Sequence, residues 1–304
     1  MERRQLGRTG LTLPAIGFGC GNVGGLMVRG DAALRERAVA AALEAGIDYF
    51  DTAAQYGSEA NLGAALRAAR ALQTASIGTK VRLSPEDLRD PAPALRAALE
   101  AGLRRIGRDH VDILHLHNQV DVALAPGVAD GMERLVDAGR VRHAGVTGLG
   151  ATADLQRAVG RFATMQTYVN LLNPSAFFPG AAGGAQDFAG VGRAAADAGM
   201  GVFAIRVMAA GAVAGPVARP PLAGGVGGAL VQGADYAGDL ARVAALPFPA
   251  GPEVALRFVL SLEGVSTALV GFSDLDQLAQ AVRWAAAGPL PTEVVARIVA
   301  GARA

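Results

Sequence analysis

The sequence predicts a (β/α)8 TIM barrel, an α/β fold, with an N-terminal β-hairpin. Eight short apolar segments alternate with longer amphipathic segments along the chain, and this alternation is typical of parallel strands joined by helices. An α/β barrel reaches the length of 304 residues without splitting, so we expect a single domain over 1–304. No G-x-G-x-x-G motif in the required form follows the first strand, which disfavours an open doubly wound sheet.

The barrel strands are predicted from short apolar runs that are bounded by turn or helix signals. They are residues 15–19, 47–51, 76–80, 111–117, 143–147, 164–169, 201–206 and 268–271. Before the first strand, residues 3–6 and 11–13 flank the turn GRTG at 7–10. We therefore expect a hairpin there, placed to close the bottom of the barrel.

Helices are predicted between most of the strands, where Asp or Ser begins and Gly ends several of the segments. They are residues 31–45, 59–69, 90–102, 130–139, 152–159, 187–199, 252–262 and 273–287. Residues 211–239 fit no regular element and are rich in Gly, Ala and Pro. Because this segment follows the seventh strand, it would lie over the C-terminal mouth, either as a lid or as an insertion without a role.

Charge and cysteine content narrow the functional classes. The formal net charge is +1 and the two signs are interspersed, which argues against binding to nucleic acid or to a membrane surface. Cys20 is the only cysteine, so no intrachain disulfide can form and a reducing compartment is expected. The most apolar tract, 202–218, is interrupted by Arg206 and Pro216 and is too short to span a membrane. We expect a cytoplasmic protein, a monomer or small homo-oligomer, that acts on a small molecule.

Four ionisable side chains come from consecutive strand ends, which converge on one mouth in a barrel. Asp51 ends the second strand, Lys80 the third and His117 the fourth, and Tyr56 lies in the loop after Asp51. Lys80 is the single lysine among 28 Lys and Arg residues. Arg cannot replace a compact ammonium whose pKa responds to burial, so the one retained lysine is expected to have a chemical role.

Tyr56 is the predicted acid–base group. A nearby ammonium favours phenolate and lowers the pKa of a tyrosine from about 10, so Lys80 would tune Tyr56 while Asp51 holds Lys80 in place. His117 would orient the same substrate oxygen. Proton transfer at a carbonyl or alcohol oxygen is half of a hydride-transfer reaction, and a nicotinamide would supply the other half.

Three motifs in this order resemble the aldo-keto reductase superfamily: YFDTAAQYG at 49–57, IGTK at 77–80 and VDILHLH at 111–117. The resemblance extends from LGRTG at 6–10 to VGFS at 270–273. It implies that Asp51, Tyr56, Lys80 and His117 form a catalytic tetrad with Tyr56 as general acid/base. It also implies reduction of aldehydes and ketones, or the reverse reaction, with NAD(P)(H) extended across the barrel mouth.

The resemblance implies cofactor contacts as well. Where the family often carries Gly-Val-Ser-Asn, this chain has GVTG at 145–148, so Thr147 can bind a carboxamide while Gly148 cannot, and the motif is similar to the branch of NAD-linked L-galactose and aldose dehydrogenases. The seventh strand usually ends in an aromatic residue that stacks on the nicotinamide. Here Arg206 stands in that region and is expected to reach the pyrophosphate. The expected contacts are Gly21, Asn22, Asp51, Thr147, Gln166, Arg206, Met208, Gly271, Phe272, Ser273 and Gln277.

The choice between NAD(H) and NADP(H) is predicted from the segment after the eighth strand. Residues 271–277 read GFSDLDQ, with two acids and no base. Asp274 or Asp276 would repel a phosphate on the adenosine ribose and could accept a hydrogen bond from a plain ribose hydroxyl. The helix N-terminus at Ser273 acts in the opposite sense, because free amides favour an anion. We expect NAD(H) to be preferred.

Two other functional classes stay open at this stage. A dinucleotide-sensing regulatory barrel would bind the cofactor to control a partner, although the intact tetrad argues against this. The H-x-H at 115–117 also suits a metal-dependent barrel hydrolase, because His115 and His117 share one face of a strand. The two remaining histidines lie toward the opposite end, so a third ligand is missing. We expect no metal, with His115 and Cys20 packed inside the protein.

Overall fold

The computed structural model describes residues 1–225 and 232–303, and its central feature is a closed barrel of eight parallel strands. The strands are β3 (Ile16–Gly19), β4 (Tyr49–Asp51), β5 (Ser76–Val81), β6 (Val111–Leu116), β7 (Val141–Gly148), β8 (Thr164–Tyr168), β9 (Gly201–Ile205) and β10 (Val265–Gly271). Strands adjacent in sequence are adjacent in the barrel, and β10 pairs with β3 to close it. The predicted fold class is confirmed, and each predicted strand overlaps an observed one.

The N-terminal hairpin closes the lower end of the barrel, as the sequence predicted. Its strands β1 (Arg3–Gln5) and β2 (Thr12–Pro14) pair in antiparallel register. Leu6 and Leu13 are 0% and 1% exposed, and they form one hydrophobic cluster with the inward-facing residues Tyr49, Ile113 and Phe203. The turn is tied to the start of β9, since Arg8 N donates to Gly199 O at 2.8 Å.

The barrel interior is filled by side chains, because large residues on some strands face glycines on others. The rings of Tyr49 and His115 each lie 5.3 Å from the ring of Phe203. A Cβ at Gly78 would clash with the Tyr49 hydroxyl, and one at Gly145 would clash with the His115 ring. The two glycines therefore make room for the rings of Tyr49 and His115, and the site must lie at an open end of the barrel rather than inside it.

Helices cover the outside of the barrel. They are α1 (Leu26–Arg29), α2 (Ala32–Glu44), α3 (Glu59–Ala68), α4 (Pro91–Ile106), α5 (Val120–Ala123), α6 (Val128–Asp137), α7 (Thr152–Ala158), α8 (Val191–Asp197), α9 (Tyr236–Ala244), α10 (Pro252–Leu260), α11 (Leu275–Ala286) and α12 (Thr292–Gly301). Short 3-10 helices occur at Ala54–Tyr56, Asp87–Arg89 and Ala209–Ala214. Among the residues described, every helix falls short of the length and apolarity that a membrane crossing requires.

Two predicted helix boundaries were wrong for local reasons. Gly102 does not end α4, which continues to Ile106 and ends at Gly107 with φ 83°; a Cβ at Gly102 would lie only 2.9 Å from Glu59 Oε1 of α3, so the glycine serves close helix packing. Residues 187–190 do not begin α8. Asp187 instead accepts a hydrogen bond from Ala189 N at 2.8 Å and forms a turn before the helix.

The segment 211–239 contains more regular structure than the sequence predicted, although residues 226–231 lie outside the described part. A 3-10 helix runs into it, and α9 begins within it where Asp235 caps the helix by accepting from Gly238 N at 2.7 Å. The part before residue 226 crosses to the loop after β3, because Gly224 N donates to Asn22 O at 3.0 Å. Helix α12 also had no counterpart among the predicted helices.

Candidate active site

The carboxyl ends of the second, third and fourth barrel strands bring the predicted tetrad to one mouth. Asp51 is the last residue of β4, Lys80 is the fifth of six residues in β5, and His117 directly follows β6. Tyr56 ends the 3-10 turn that follows β4. Asp51 pairs with Gly78 and Lys80 with His115 across neighbouring strands. Lys80 therefore lies two residues farther toward the mouth than the level of Asp51, and its long side chain reaches the carboxylate.

Lys80 forms a buried ion pair with Asp51. Its Nζ lies 2.5 Å from Asp51 Oδ2 and donates to Thr52 O at 3.0 Å. The second carboxylate oxygen, Oδ1, accepts from Gln166 Nε2 at 2.7 Å. Burial by itself lowers the pKa of Lys80, but the Asp51 carboxylate, with a smaller contribution from Tyr56, outweighs burial and the pKa is raised. A buried pair is tolerated only when its remaining polar atoms are hydrogen-bonded, and here Thr52 and Gln166 provide those bonds.

The Tyr56 ring lies directly beside this ion pair. Lys80 Nζ is 4.9 Å from the ring centroid, which is within the range of a cation–π contact. Burial raises the pKa of Tyr56, and the positive charge of Lys80 only partly offsets it. Lys80 thus acts in the predicted direction, but the expectation that the pKa would fall overall was wrong, because burial is the larger effect. The phenol is protonated at neutral pH.

His117 is placed as a neutral group beside Tyr56. Its ring meets the Tyr56 ring edge-on, with centroids 5.4 Å apart. Burial, together with the charges of Lys80 and Arg82, lowers the pKa of His117 to about 3. Its backbone N donates to Val81 O at 2.7 Å, which fixes the position of the residue. Nδ1 is buried and finds no hydrogen-bond partner within the described residues.

Thr147 and Gln166, the two expected carboxamide ligands, are direct neighbours across β7 and β8. Both are 2% exposed, and the Thr147 hydroxyl is buried without a hydrogen-bond partner in the part of the chain described. A buried hydroxyl of this kind needs a partner, so the site fits a ligand that brings a polar group. A Cβ at Gly148 would clash with Gln166 O, which explains why this chain has no side chain at the next position.

The expected contacts in the segments that follow β3 and β10 are divided between the mouth and the protein interior. Gly21 lies against Tyr56, since a Cβ there would be 3.4 Å from Tyr56 Cε2. Asn22 is exposed, and its Oδ1 accepts from Arg29 Nη1 at 2.9 Å. The Phe272 ring packs edge-on against Phe18 with centroids 5.0 Å apart. That ring is part of the core, which leaves only the backbone of Phe272 for a cofactor.

The segment that follows Gly271 is held by its own side chains. Gly271 is exposed at the end of β10. Ser273 Oγ donates to Gly24 O at 2.7 Å, and Ser273 N donates to Gln277 Oε1 at 2.9 Å. Asp274 caps α11 by accepting from Gln277 N at 2.8 Å. Two backbone amides at this helix start are therefore already satisfied from within the chain.

Arg206 follows β9 in a left-handed backbone conformation with φ 61°, which costs a residue other than glycine about 1 kcal/mol or more. Its carbonyl accepts from Asn170 Nδ2 at 3.1 Å. The half-buried guanidinium lies near the tetrad, because its charge acts to lower the pKa of Tyr56. Met208 is half-buried and packs against the main core.

His115 and Cys20 are packed residues. The His115 ring lies edge-on to Phe203, and its Nε2 is 3.1 Å from Thr164 Oγ1. Burial raises the pKa of the Cys20 thiol, which keeps it unreactive. In the described ranges, no group of three His, Cys, Asp or Glu side chains is positioned to hold a metal ion. Arg82, which no sequence motif marks, directly follows β5 and lies two residues beyond Lys80.

Comparisons with known proteins show which family this chain resembles. Residues 15–302 match the family model described as aldo/keto reductase family. L-galactose dehydrogenase from Arabidopsis thaliana is 35% identical over 159 residues, which are 49% of each chain. D-threo-aldose 1-dehydrogenase from a Pseudomonas species is 31% identical over 180 residues, covering 49% of this chain and 54% of that one. The matches thus span about half the length of these curated relatives.

A solved structure shares the whole fold. The holo form of an aldo-keto reductase from Bacillus halodurans superposes with a TM-score of 0.76 at 24% identity, covering 100% of this chain and 97% of that one. Its apo form gives a TM-score of 0.70. Since the family match spans nearly the full sequence, and the fold agrees with it, this chain belongs to the aldo/keto reductase family of oxidoreductases.

Proposed function

We propose that this protein is an NAD(P)-dependent oxidoreductase that interconverts an aldehyde, ketone or aldose with its alcohol or oxidised product. The observation that supports this most strongly is the position of the Lys80 ammonium, bonded to Asp51 on one side and 4.9 Å from the Tyr56 ring on the other. Such an arrangement suits a phenol that exchanges a proton with a substrate oxygen.

Four residues carry the proposed chemistry. Tyr56 gives its proton to the carbonyl oxygen during reduction and takes it back during oxidation. Lys80 stabilises the phenolate that forms, and Asp51 keeps the ammonium in place. His117, which is neutral because its pKa is about 3, orients the substrate oxygen by hydrogen bonding rather than by charge.

The residues present fit a nicotinamide cofactor. Thr147 and Gln166 would hold its carboxamide, since the Thr147 hydroxyl is otherwise an unpaired buried group among the described residues. When bound, the nicotinamide gives or accepts a hydride. Gly21, Asn22, Arg206, Met208 and the segment 271–277 remain the proposed contacts for the rest of the dinucleotide.

We also propose that NAD(H) is preferred over NADP(H). The Asp274 carboxylate caps α11, and Gln277 occupies Ser273 N, so the helix start offers an anion fewer free amides than the sequence suggested. Asp276 is exposed in the same turn. A ribose phosphate would meet negative charge there. The test is the ratio of kcat/KM for the two cofactors with one shared substrate, and a ten-fold preference for NADP(H), about 1.4 kcal/mol, would refute this choice.

Aldoses are the proposed substrate class to examine first. Two relatives carry sugar dehydrogenase names, and this chain has the Thr-Gly form at 147–148. The experiment is a spectrophotometric screen of NADH and NADPH formation and consumption over aldoses and aldehydes. Turnover of one class of carbonyl compound is expected. Tight dinucleotide binding without turnover of any of them would favour a regulatory barrel instead.

A further inference from the structure

We infer that Arg82 recognises an anionic group, a carboxylate or a phosphate, on the substrate. This inference rests on the proposed function and narrows its substrate class. Arg82 directly follows β5 and lies two residues beyond Lys80. Because Arg82 follows the carboxyl end of β5, it lies at the same mouth as Lys80, one residue beyond the end of the strand.

The backbone on both sides of Arg82 is fixed. On one side, Val81 O accepts from His117 N at 2.7 Å. On the other side, Asn118 forms two hydrogen bonds with the backbone of Leu83: Leu83 N donates to Asn118 Oδ1 at 2.9 Å, and Asn118 Nδ2 donates to Leu83 O at 2.8 Å. Asn118 is 8% exposed. The start of the Arg82 side chain is thus held rigidly between the ends of β5 and β6.

The Arg82 guanidinium is available to a ligand. The residue is exposed, and no carboxylate within residues 1–225 and 232–303 lies at ion-pair distance from it. Two acids follow on the same loop, Glu86 and Asp87, and neither forms an ion pair with Arg82 among the described residues; Asp87 accepts instead from Ser84 N at 2.7 Å. Asp51 is occupied by Lys80. The positive charge of Arg82 therefore has no counter-ion among the residues that the structure describes.

The position of Arg82 favours the substrate over the cofactor as its ligand. In the order β10-β3-β4-β5-β6-β7-β8-β9 of the closed barrel, β5 lies opposite β9, which Arg206 follows. None of the proposed cofactor contacts lies on β5 or β6. The charge of Arg82 reaches the proposed substrate-orienting residue, because it helps to lower the pKa of His117. An anionic group on a substrate whose carbonyl lies between Tyr56 and His117 would meet this arginine.

Guanidinium chemistry sets the kind of group that Arg82 can recognise. Its planar donors match the oxygens of carboxylate and phosphate in paired hydrogen bonds. The charge would also raise the rate of encounter with anions, and salt would weaken this effect. Neutral aldehydes gain neither advantage, so the ratio of kcat/KM for an anionic substrate to kcat/KM for its neutral analogue measures the contribution of Arg82.

The test compares matched substrates in wild type, Arg82→Gln and the control Arg161→Gln. Succinic semialdehyde is paired with its methyl ester, and glyceraldehyde phosphate with glyceraldehyde, so the two arms distinguish carboxylate from phosphate. Arg161 is exposed and precedes β8, at the opposite end of the barrel. We expect wild type to favour the anion in at least one pair, and Arg82→Gln to reduce that ratio about ten-fold. Arg161→Gln should leave it unchanged.

A second measurement separates this inference from the proposed function. Calorimetric titration with succinate and with inorganic phosphate reports anion binding without turnover. Binding of either anion that is weakened about ten-fold in Arg82→Gln supports the inference even if no aldehyde is turned over, in which case only the proposed function fails. Two outcomes would overturn the inference while leaving aldehyde turnover intact. The first is that wild type has the same kcat/KM for the anionic and the neutral substrate of both pairs. The second is that Arg82→Gln changes neither the kcat/KM ratio nor the affinity for the anions.

Discussion

At the residue scale, Lys80 is the side chain on which the proposed chemistry depends. It is 1% exposed, and its ammonium contacts a carboxylate, a backbone carbonyl and the face of a tyrosine. A guanidinium is larger and planar, so it cannot take the same three contacts in the same space. This explains why a chain that otherwise uses arginine retains lysine here.

Replacing Lys80 by Arg keeps the positive charge and should still lower kcat by about 100-fold, the lower part of the range for a disturbed acid–base group. The reason is that the larger group displaces Asp51 or Tyr56 from its position. Steady-state kinetics provide the measurement, with circular dichroism to verify folding. Arg161→Lys, the reverse exchange at an exposed position, should have normal kcat. If Lys80→Arg retained normal kcat, a compact ammonium would not be required.

The pKa directions of Tyr56 and His117 predict the pH profile of reduction. The pKa of Tyr56 is raised by burial, so the proton-donating form persists through neutral pH and is lost only as pH rises through that raised value. The pKa of His117 is about 3, so His117 does not change charge between about pH 5 and 8. We expect kcat for reduction to be flat over that interval and to fall in alkaline solution. An acidic limb near the ordinary histidine value, about 6.5, that is removed in His117→Gln would contradict the account.

At the element scale, neighbouring strand ends determine what the mouth can contain. Thr147 and Gln166 face one another across β7 and β8, and the absence of a side chain at Gly148 lets these strands approach. Each side chain of the tetrad likewise depends on where one strand stops. The site is therefore sensitive to changes that separate strands, even when no polar group is removed.

Gly148→Ala should destabilise the protein by about 1–3 kcal/mol, as expected for overpacking, because the new Cβ would press on Gln166 O. Cofactor affinity should fall as well, since Gln166 would move. Chemical denaturation and cofactor titration measure the two effects. Gly301→Ala in α12 is the control, because its Cβ would find an ordinary contact at 3.6 Å from Phe248. A Gly148→Ala protein as stable as wild type would show that the strands can adjust.

The strands, and the meeting of Asp51, Lys80 and His117 at one mouth, could be predicted because strand ends in a barrel must converge, and the polar residues there stand out against apolar runs. Features that depend on a distant neighbour could not be read in this way. Gly102 was interpreted as a helix end, yet it accommodates Glu59 of another helix. The raised pKa of Tyr56 follows from burial, which the sequence does not reveal. Asn118 and Arg82 matter through contacts between loops, and no motif marks them.

At the scale of the whole molecule, the two ends of the barrel have different tasks. The lower end is closed by the hairpin, whose Leu6 and Leu13 join Tyr49, Ile113 and Phe203 in one apolar cluster. The upper end holds the tetrad and the proposed cofactor contacts. Stability and chemistry are thus separated along the barrel axis, as is usual for this fold.

Leu13→Ala should lower the free energy of unfolding by about 2–5 kcal/mol, the cost of a cavity in a packed core. The change lies at the end of the barrel remote from the tetrad, so kcat measured well below the melting temperature should be unchanged. Val217→Ala is the control for stability, because Val217 is 59% exposed. A large fall in kcat without a loss of stability in Leu13→Ala would show that the two ends are coupled.

The most direct test of the proposed acid–base chemistry is the effect of Tyr56→Phe on turnover and cofactor binding, measured on the same preparation. The substitution removes the proton donor, so kcat should fall by about two to four orders of magnitude. Because the ring packing stays nearly intact, the cofactor Kd should stay within about two-fold, as expected for a group that acts on the substrate oxygen. Tyr49→Phe, which removes a buried hydroxyl that has no partner among the described residues, should retain normal kcat. Near-normal turnover in Tyr56→Phe would contradict the assignment of Tyr56 as the proton donor.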